Sequence, residues 1–356
     1  MKVALVYDRV NKWGGAERVL MALHELYPDA PLFTSVYNKE TAPWANSFDV
    51  KTSFLQNIPF ARNNHEYFAP LMPLAFENLD MSGYDTIISV SSEAAKGILT
   101  HGHQKHIAYC LTPTRYLWSG HKNYFQPGIK SKLATPLISY LRSWDQVAAQ
   151  RADQMISIST EVKHRIHKFY GRDTQIIFPP VETNLFEGIP TKNKKKHFLL
   201  VSRLVKYKKV DLAIKAFNKL GYPLVIVGTG REESRLKKIA GKNITFAGAV
   251  DDKKLAQLYS NAIALVFPQE EDFGIVAVEA QSVGIPVIAF ARGGALDTVI
   301  PGETGVFFKK QNVGSLIGAV SELDKVTFNR ENIVEHAKMF SREVFLENFS
   351  YYINNQ

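Results

Sequence analysis

The sequence predicts an α/β protein made of two doubly wound domains, each with a parallel sheet. Three observations lead to this prediction: β-branched runs alternate with longer helical patterns, the alternation restarts after a polar break, and 356 residues exceed one ordinary core. Apolar strands separated by helices are typical of parallel sheets covered on both faces. Because ligands of such sheets bind beyond the carboxyl ends of the strands, we expect the functional residues in the loops that follow them, and a cleft between the two halves.

The first half is predicted as a domain over residues 1–183. Its strand-like runs lie at 2–7, 85–90, 105–111, 154–159 and 174–180. The polar and basic segment 187–198, which contains Pro190, follows this half. Such a composition predicts a linker.

The second half is predicted as a domain over residues 184–338. Its strand-like runs lie at 197–204, 223–230, 244–248, 263–268, 286–290 and 304–308, with helical patterns such as 211–220 and 252–261 between them. Residues 339–356 are predicted as a C-terminal helix that packs back on the first domain.

The composition, with 46% hydrophobic and 22% charged residues, is that of a soluble globular protein. No apolar run reaches the roughly 18 residues of a membrane-spanning helix, and charged Asp8 and Arg9 come too early for a signal peptide. We therefore expect a cytoplasmic protein.

The single cysteine, Cys110, excludes an internal disulfide and a cysteine-built metal site. The net charge of +9 favours an anionic partner: nucleic acid, a phospholipid surface or a phosphorylated small molecule.

Two loops of the second half carry features of a phosphate site. Arg203 and Lys208 follow a strand, and a guanidinium with an ammonium suits a diphosphate; the alternative is a solvated basic turn. Gly228 and Gly230 allow a tight turn after the next strand. Glu233 stands where the dinucleotide fingerprint requires a third glycine, so an NAD site is disfavoured.

A third loop, "PQEEDFGIVAVEAQ", places carboxylates around a helix start. Gly274 allows close approach of a ligand, and the helix beginning near Ile275 presents free N–H groups. Glu279 inside that apolar helix needs a partner, and vicinal ribose hydroxyls would satisfy it, while Glu271 would reach the adjoining group. Alternatively, Glu279 is a structural ion-pair partner and residues 270–272 form a solvated acidic turn. Gly293 and Gly294 follow a further strand at the same sheet edge.

In order along the chain, these segments resemble the retaining glycosyltransferases of family 4, which have the GT-B architecture of two facing Rossmann-like domains with an interdomain cleft. The resemblance spans nearly the whole chain, and Glu271 with Glu279 matches the E-x7-E signature of the family. It is carried by "GGAERV" (14–19), "PPVETNLF" (179–186), "SRLVKYKKVD" (202–211), "VGTGREESRL" (227–236), "FAGAVDDKKLAQLYSNA" (246–262), "EDFGIVAVEAQSVGIPVIA" (271–289), "GGALDTVIPGETGVFF" (293–308) and "FSREVF" (340–345).

The resemblance implies a nucleoside diphosphate sugar donor of the GDP or UDP type, no cofactor and no metal. By its motifs, Arg203 and Lys208 would bind the diphosphate and Glu279 the ribose. The remaining implied donor-binding residues are Gly14 and Gly15 at the phosphate, Gly228, and Glu271 with the backbone of Phe273, Gly274 and Ile275 at the transferred sugar. Retention in this family needs no covalent enzyme nucleophile, so Glu271 is assigned a positioning role in catalysis beside Arg203 and Lys208.

Two positions depart from the family pattern. Lys209 stands where a glycine is common after the lysine, and Leu111 aligns with a histidine that relatives often carry near the sugar. Within the same first domain, Arg115 and Asp8 are the candidates for the acceptor side of the cleft.

The acceptor is expected to bind the first domain. Segment 118–145 combines lysines and arginine with aromatic residues, and Leu133, Leu137, Tyr140, Leu141 and Trp144 follow helical spacing on one face. That face either contacts an anionic membrane or packs on the sheet of its own domain. With the charge of +9, it favours a lipid-linked glycan acceptor, as in surface polysaccharide synthesis, and a peripheral location on the membrane.

The predicted function is thus a hexosyltransferase. A transferase with a soluble acceptor and a non-catalytic nucleotide-sugar binding protein remain as alternatives, and Leu111 favours the latter. Nucleic acid is disfavoured as a partner because the chain lacks a recognition-helix or RNP-like motif.

Overall fold

The computed structural model describes residues 1–121, 129–186 and 196–355. Contacts divide the chain into two compact units, Met1–Pro179 with Asn348–Gln356, and Pro180–Glu347. The predicted boundary lies at 183, and the final nine residues group with the first unit. Most of the predicted linker, residues 187–195, lies outside the described residues, as do residues 122–128 of the basic aromatic segment.

The first unit contains a parallel sheet of seven strands in the order β3-β2-β1-β4-β5-β6-β7. The strands are β1 Val3–Tyr7, β2 Leu32–Thr34, β3 Val50–Thr52, β4 Thr86–Ser91, β5 Lys105–Cys110, β6 Gln154–Ser157 and β7 Gln175–Ile176. In the middle of the sheet, Leu5 lies opposite both Leu32 and Ile88. Strands β1 and β4 are buried throughout because helices cover both faces.

The helices of this unit are α1 Gly15–Leu26, α2 Met72–Glu77, α3 Ile129–Arg151 and α4 Thr160–Tyr170. Helix α4 shows local control of helix ends. Its N-cap Ser159 accepts a hydrogen bond from the Val162 amide, and Gly171 ends it in the left-handed region at φ 66°. Within the described ranges, every helix is too short or too polar to cross a bilayer.

The second unit contains a parallel sheet of six strands in the order β10-β9-β8-β11-β12-β13. The strands are β8 His197–Val201, β9 Leu224–Val227, β10 Ile244–Gly248, β11 Ala262–Phe267, β12 Val287–Phe290 and β13 Gly305–Phe308. The helices are α5 Val210–Leu220, α6 Glu233–Ile239, α7 Asp252–Ser260, α8 Ile275–Ser282, α9 Ala295–Thr298, α10 Val313–Leu323 and α11 Arg330–Lys338, and α12 Arg342–Asn354 follows them. The strand order reverses between β8 and β11, which is where doubly wound sheets bind ligands.

Alternation along β8 builds the two cores of this unit. Leu200 belongs to a buried cluster with Phe217 and Ile226, whereas Leu199 belongs to a second cluster with Leu265 and Ala280. Because successive side chains of a strand point to opposite faces, one apolar strand supplies both layers. The prediction of an α/β fold with parallel sheets is confirmed.

Two details differ from the sequence expectation. Strands β2 and β3 were not predicted, because three residues carry too little periodicity to identify a strand. On the face predicted for α3, Leu137 and Tyr140 are 41% and 55% exposed, so they do not pack on the sheet of their own domain, whereas Leu141 of the same face and the adjacent Ile138 are buried. The side chain of Leu133 is outside the described part.

Candidate functional site

The loop after β8 carries the two predicted phosphate-binding residues. Arg203 is exposed, and its Nη2 donates a hydrogen bond of 2.8 Å to the Tyr207 hydroxyl. Lys208 ends a short 3₁₀ turn, and its Nζ lies 5.2 Å from the centre of the Tyr207 ring. Tyr207 thus contacts both cationic side chains, a role that the sequence did not identify.

Lys208 and Glu271 form an ion pair between the Lys208 ammonium and the Glu271 carboxylate. Their side chains are 13% and 17% exposed. The residues come from the loops after β8 and β11, which are neighbours in the sheet where the strand order reverses. The structure therefore brings a residue predicted to bind the diphosphate into direct contact with a residue predicted to bind the sugar.

The loop after β12 supports the acidic loop. The Gly294 amide donates a 2.8 Å hydrogen bond to the Glu271 carbonyl, and Gly293 has φ 67°. A Cβ on Gly294 would collide with the backbone of Phe273, so the two loops touch through bare backbone. Phe273 is buried, with its ring centre 5.6 Å from that of Phe340. These contacts position the Glu271 backbone.

Helix α8 begins after Gly274, whose φ of 104° favours glycine. No side chain caps this end, so its first N–H groups and the positive end of the helix dipole suit an anionic or polar ligand. Glu279 lies on α8 and is 4% exposed. The Tyr259 hydroxyl donates to Glu279 Oε2 at 3.1 Å. Tyr259 lies in segment 246–262, which resembles the family, but nothing in the sequence linked it to Glu279.

The backbone conformations at Gly228 and Lys209 bear on which residue type each position favours. Gly228 has φ 118°, and a Cβ there would collide with the Ser202 carbonyl, so a structural turn accounts for this glycine. Lys209 has φ 54°, in the left-handed region that glycine adopts at lower cost. The departure at Lys209 therefore places a side chain at a strained position before α5.

Gly14 and Gly15 lie at the N-terminus of α1 in the first unit and are exposed. Gly14 has φ −172°, an extended value open to any residue, but a Cβ on it would approach Glu17 Oε2 to 3.1 Å. Glu17 is buried and accepts a 2.8 Å hydrogen bond from the Tyr7 hydroxyl. Burial raises the pKa of Glu17. Glu17 thus lies against the glycine turn, a contact that the sequence analysis missed.

Asp8 is engaged inside the first unit. Its carboxylate is 2% exposed and accepts hydrogen bonds from the amides of Ser92, Glu93 and Ala95 at 2.6, 3.0 and 2.8 Å. This arrangement joins the end of β1 to the turn after β4. It supports a structural role for Asp8, and the predicted acceptor contact rests on the sequence alone.

The segment after β5 contains Leu111 and Arg115. The Leu111 amide donates to the Ser91 carbonyl at 2.8 Å, and Arg115 is half-buried. Nearby, Lys96 and Asp145 form a 2.6 Å ion pair, with each side chain 1% exposed. Thr114, Trp118 and Tyr170 also donate to the Asp145 carboxylate. This buried network anchors the segment to α3, a structural role.

The described part of the chain contains no group of three or more His, Cys, Asp or Glu side chains arranged to hold a metal ion.

Residues 181–340 match the family model described as glycosyl transferases group 1. The chain is 28% identical over 238 residues to D-rhamnosyltransferase WbpZ of Pseudomonas aeruginosa, covering 63% of this chain and 62% of the relative. It is 35% identical over 138 residues to a GDP-mannose-dependent monoacylated alpha-(1-6)-phosphatidylinositol monomannoside mannosyltransferase of Corynebacterium glutamicum, covering 34% and 36%. The matches span between 42% and 66% of the length of the first three curated relatives.

Among solved structures, HepE of Anabaena in complex with UDP-glucose aligns with a TM-score of 0.75 and 19% identity, covering 100% of both chains. At that identity the likeness shows the fold alone.

Proposed function

We propose, from the premise that residues 181–340 belong to the glycosyl transferases of group 1, that the chain transfers a hexose from a nucleoside diphosphate sugar to a glycan acceptor. The fold class is that of GT-B glycosyltransferases, with a doubly wound parallel sheet in each unit. The hexose is of the mannose or glucose type and is transferred with retention.

The observation that carries this proposal is the contact between Lys208 and Glu271 at the strand-order reversal, next to the uncapped start of α8. A diphosphate needs cations and N–H donors, and a sugar hydroxyl needs a carboxylate; both kinds of group occur within this one edge of the sheet. Glu279 is a buried carboxylate on α8, and the two hydroxyl donors of a vicinal diol suit a carboxylate, which supports the ribose assignment.

The proposed mechanism depends on the charge that develops on the leaving diphosphate as its bond to the sugar carbon breaks. Arg203, Lys208 and the N–H groups at the start of α8 would stabilise that charge, which is the largest expected protein contribution. Glu271 would orient the transferred sugar through its carboxylate, with its backbone held by Gly294. In this proposal the reaction requires neither metal nor cofactor.

The donor is proposed to be of the GDP or UDP type. One relative is named as GDP-mannose-dependent, and one structural neighbour is a complex with UDP-glucose. Both are consistent with a diphosphate site at Arg203 and Lys208.

The acceptor is proposed to be a lipid-linked glycan, bound by a chain that acts peripherally on the cytoplasmic membrane face. Leu137 and Tyr140 on α3 are exposed, and they follow a basic aromatic sequence. An exposed apolar and aromatic patch of this kind suits the interface of an anionic membrane. A soluble glycan acceptor is the alternative.

Calorimetric titration of GDP, UDP, ADP and their common hexose derivatives, without divalent metal, tests the donor site. We expect one nucleotide to bind, and Glu279→Ala to weaken it by about 1–3 kcal/mol through loss of charge-assisted hydrogen bonds. Glu322→Ala, an exposed glutamate of α10 in the same unit, is the control and should bind as the wild type does. A chain that binds no nucleotide, or equal binding by Glu279→Ala, would refute the proposal.

A non-catalytic nucleotide-sugar binding protein is the second candidate, favoured by Leu111 at the position where relatives often carry histidine. Donor hydrolysis or transfer by the wild type would exclude it. Tight donor binding without donor hydrolysis or transfer to a glycoside acceptor would support it instead.

A further inference from the structure

Three polar atoms near the carboxyl end of β1 lack a hydrogen-bond partner among the residues that the structure describes. They are Arg9 Nε, Asn11 Oδ1 and His65 Nε2, all buried. Asn11 and His65 are in contact, since Asn11 Nδ2 lies 3.1 Å from His65 Nδ1, and Arg9 is close enough for its charge to act on His65. Buried polar groups in proteins almost always have partners. Three such atoms in one cluster therefore indicate a site for a polar ligand.

The hydrogen bonds of Asn11 determine the tautomer of His65. Asn11 Nδ2 also donates to the Arg62 carbonyl at 3.1 Å, which fixes the orientation of the amide. Nδ2 is therefore the donor to His65 Nδ1, and Nδ1 accepts. In a neutral imidazole the proton then lies on Nε2, which makes the unpaired atom a hydrogen-bond donor.

The surroundings keep this imidazole neutral. Burial, reinforced by the charges of Arg9 and Lys12, lowers the pKa of His65 to about 3. The Arg9 guanidinium is paired with Glu93 at 2.6 Å, so its charge is compensated. The cluster thus offers two N–H donors and one carbonyl acceptor, and the one charged side chain among its three members is the paired Arg9, which favours a neutral hydroxylated ligand over a phosphate.

We propose that Arg9, Asn11 and His65 form an acceptor-sugar subsite that binds the hydroxyl groups of the glycan. Sugar hydroxyls both donate and accept hydrogen bonds, so they complement two donors and an acceptor. The indole of Trp13, 55% exposed in the same loop, offers an apolar face for a sugar ring. Lys12, which follows Asn11 in the chain, and Arg62, whose carbonyl accepts from Asn11, are exposed, and in this proposal the ligand reaches the three buried atoms by displacing one of these side chains. Because Nε2 of His65 already carries a proton, it cannot remove the proton from the reacting hydroxyl group of the acceptor. His65 is therefore a positioning residue.

This inference rests on the proposed transferase function and can be tested in the full chain without knowing the natural acceptor. The probes are octyl α-D-mannopyranoside and octyl β-D-glucopyranoside, with octyl tetraethylene glycol as the control that lacks a sugar. We expect nitrogen-15 NMR of the wild type to show the Nε2–H tautomer of His65. At least one glycoside should shift the Nε2 signal of His65 in a saturable manner, whereas octyl tetraethylene glycol should leave the signal unchanged.

Transfer to the responding glycoside provides the second readout. His65→Phe should lower kcat/KM for the glycoside about tenfold or more, the equivalent of about 1.4 kcal/mol, and leave nucleotide affinity within about twofold. His103→Phe, at an exposed position of the same unit, should change neither quantity. Thermal unfolding checks that both variants fold.

The outcomes separate this inference from the transferase assignment. If neither glycoside shifts His65, or if His65→Phe transfers as the wild type does, the subsite is refuted. If a glycoside shifts His65 but no nucleotide binds, the sugar subsite holds and the transferase assignment fails.

Discussion

At the scale of single residues, the ion pair of Lys208 with Glu271 gives one carboxylate two competing tasks. In the structure Glu271 neutralises the ammonium that is proposed to bind the diphosphate. A nucleoside diphosphate must therefore share Lys208 with a neighbouring negative charge. A complete donor adds a hexose, which gives the Glu271 carboxylate a different partner.

This competition predicts opposite effects of Glu271→Ala on two ligands. The free nucleoside diphosphate should bind about two- to fivefold more tightly, since the Lys208 ammonium no longer shares its charge with a neighbouring carboxylate. Transfer from the complete nucleotide sugar should fall about 100-fold because the hexose loses its orienting carboxylate. Calorimetry and initial rates measure the two quantities, with Glu270→Ala as the neighbouring control. Weaker binding of the nucleoside diphosphate to Glu271→Ala would contradict this account.

At the scale of elements, short loops after parallel strands determine where the helices of the second unit begin. Helix α8 starts at a glycine with positive φ, and α5 starts after Lys209, also with positive φ. In both places the chain turns sharply from a strand end into a helix. A residue with a Cβ pays a conformational cost at such a turn that glycine avoids.

Lys209→Gly should therefore stabilise the second unit, by about 0.5 kcal/mol, because relief of roughly 1–2 kcal/mol of left-handed strain exceeds the added entropy of glycine in the unfolded chain. Lys206→Gly in the preceding 3₁₀ turn, whose φ is not positive, should destabilise it. Urea unfolding followed by circular dichroism compares the two variants. Equal destabilisation by both would show that the positive φ carries no strain.

At the scale of the whole molecule, the first unit carries a distinct set of buried titratable groups. Burial lowers the pKa of His65 to about 3 and that of His106 to about 4. Burial also raises the pKa of Glu17 and Glu93. The histidines oppose folding below their unfolded pKa of about 6.5, whereas the glutamates oppose folding as the pH rises, so their contributions to pH dependence have opposite signs.

Substitution of one histidine isolates its contribution to the pH dependence of the free energy of unfolding. In the unfolded chain His65 takes up a proton below pH 6.5, and in the folded chain it does so only near pH 3, so the wild type loses up to about 1.4 kcal/mol per pH unit between these values from this residue. The free energy of unfolding of His65→Phe should therefore fall less than that of the wild type between pH 6.5 and 4.5. Fluorescence reports the first unit because all four tryptophans, Trp13, Trp44, Trp118 and Trp144, lie in it.

His103→Phe is the control for this measurement and should follow the wild type. Parallel curves for the wild type and His65→Phe over that pH range would show that His65 titrates normally in the folded chain.

The sequence by itself determined the fold class, the order of strands and helices in the second half, and the loops in which the candidate site residues lie. These follow from local patterns: apolar runs, helix-start signals and motifs of fixed spacing. The tertiary structure alone decided which side chains meet. Lys208 and Glu271 are 63 positions apart, and Asp8 and Ser92 are 84 apart, yet each pair is in contact. The tertiary structure also decided that Leu137 and Tyr140 of α3 are exposed, because packing against the rest of the unit buries Ile138 and Leu141 instead.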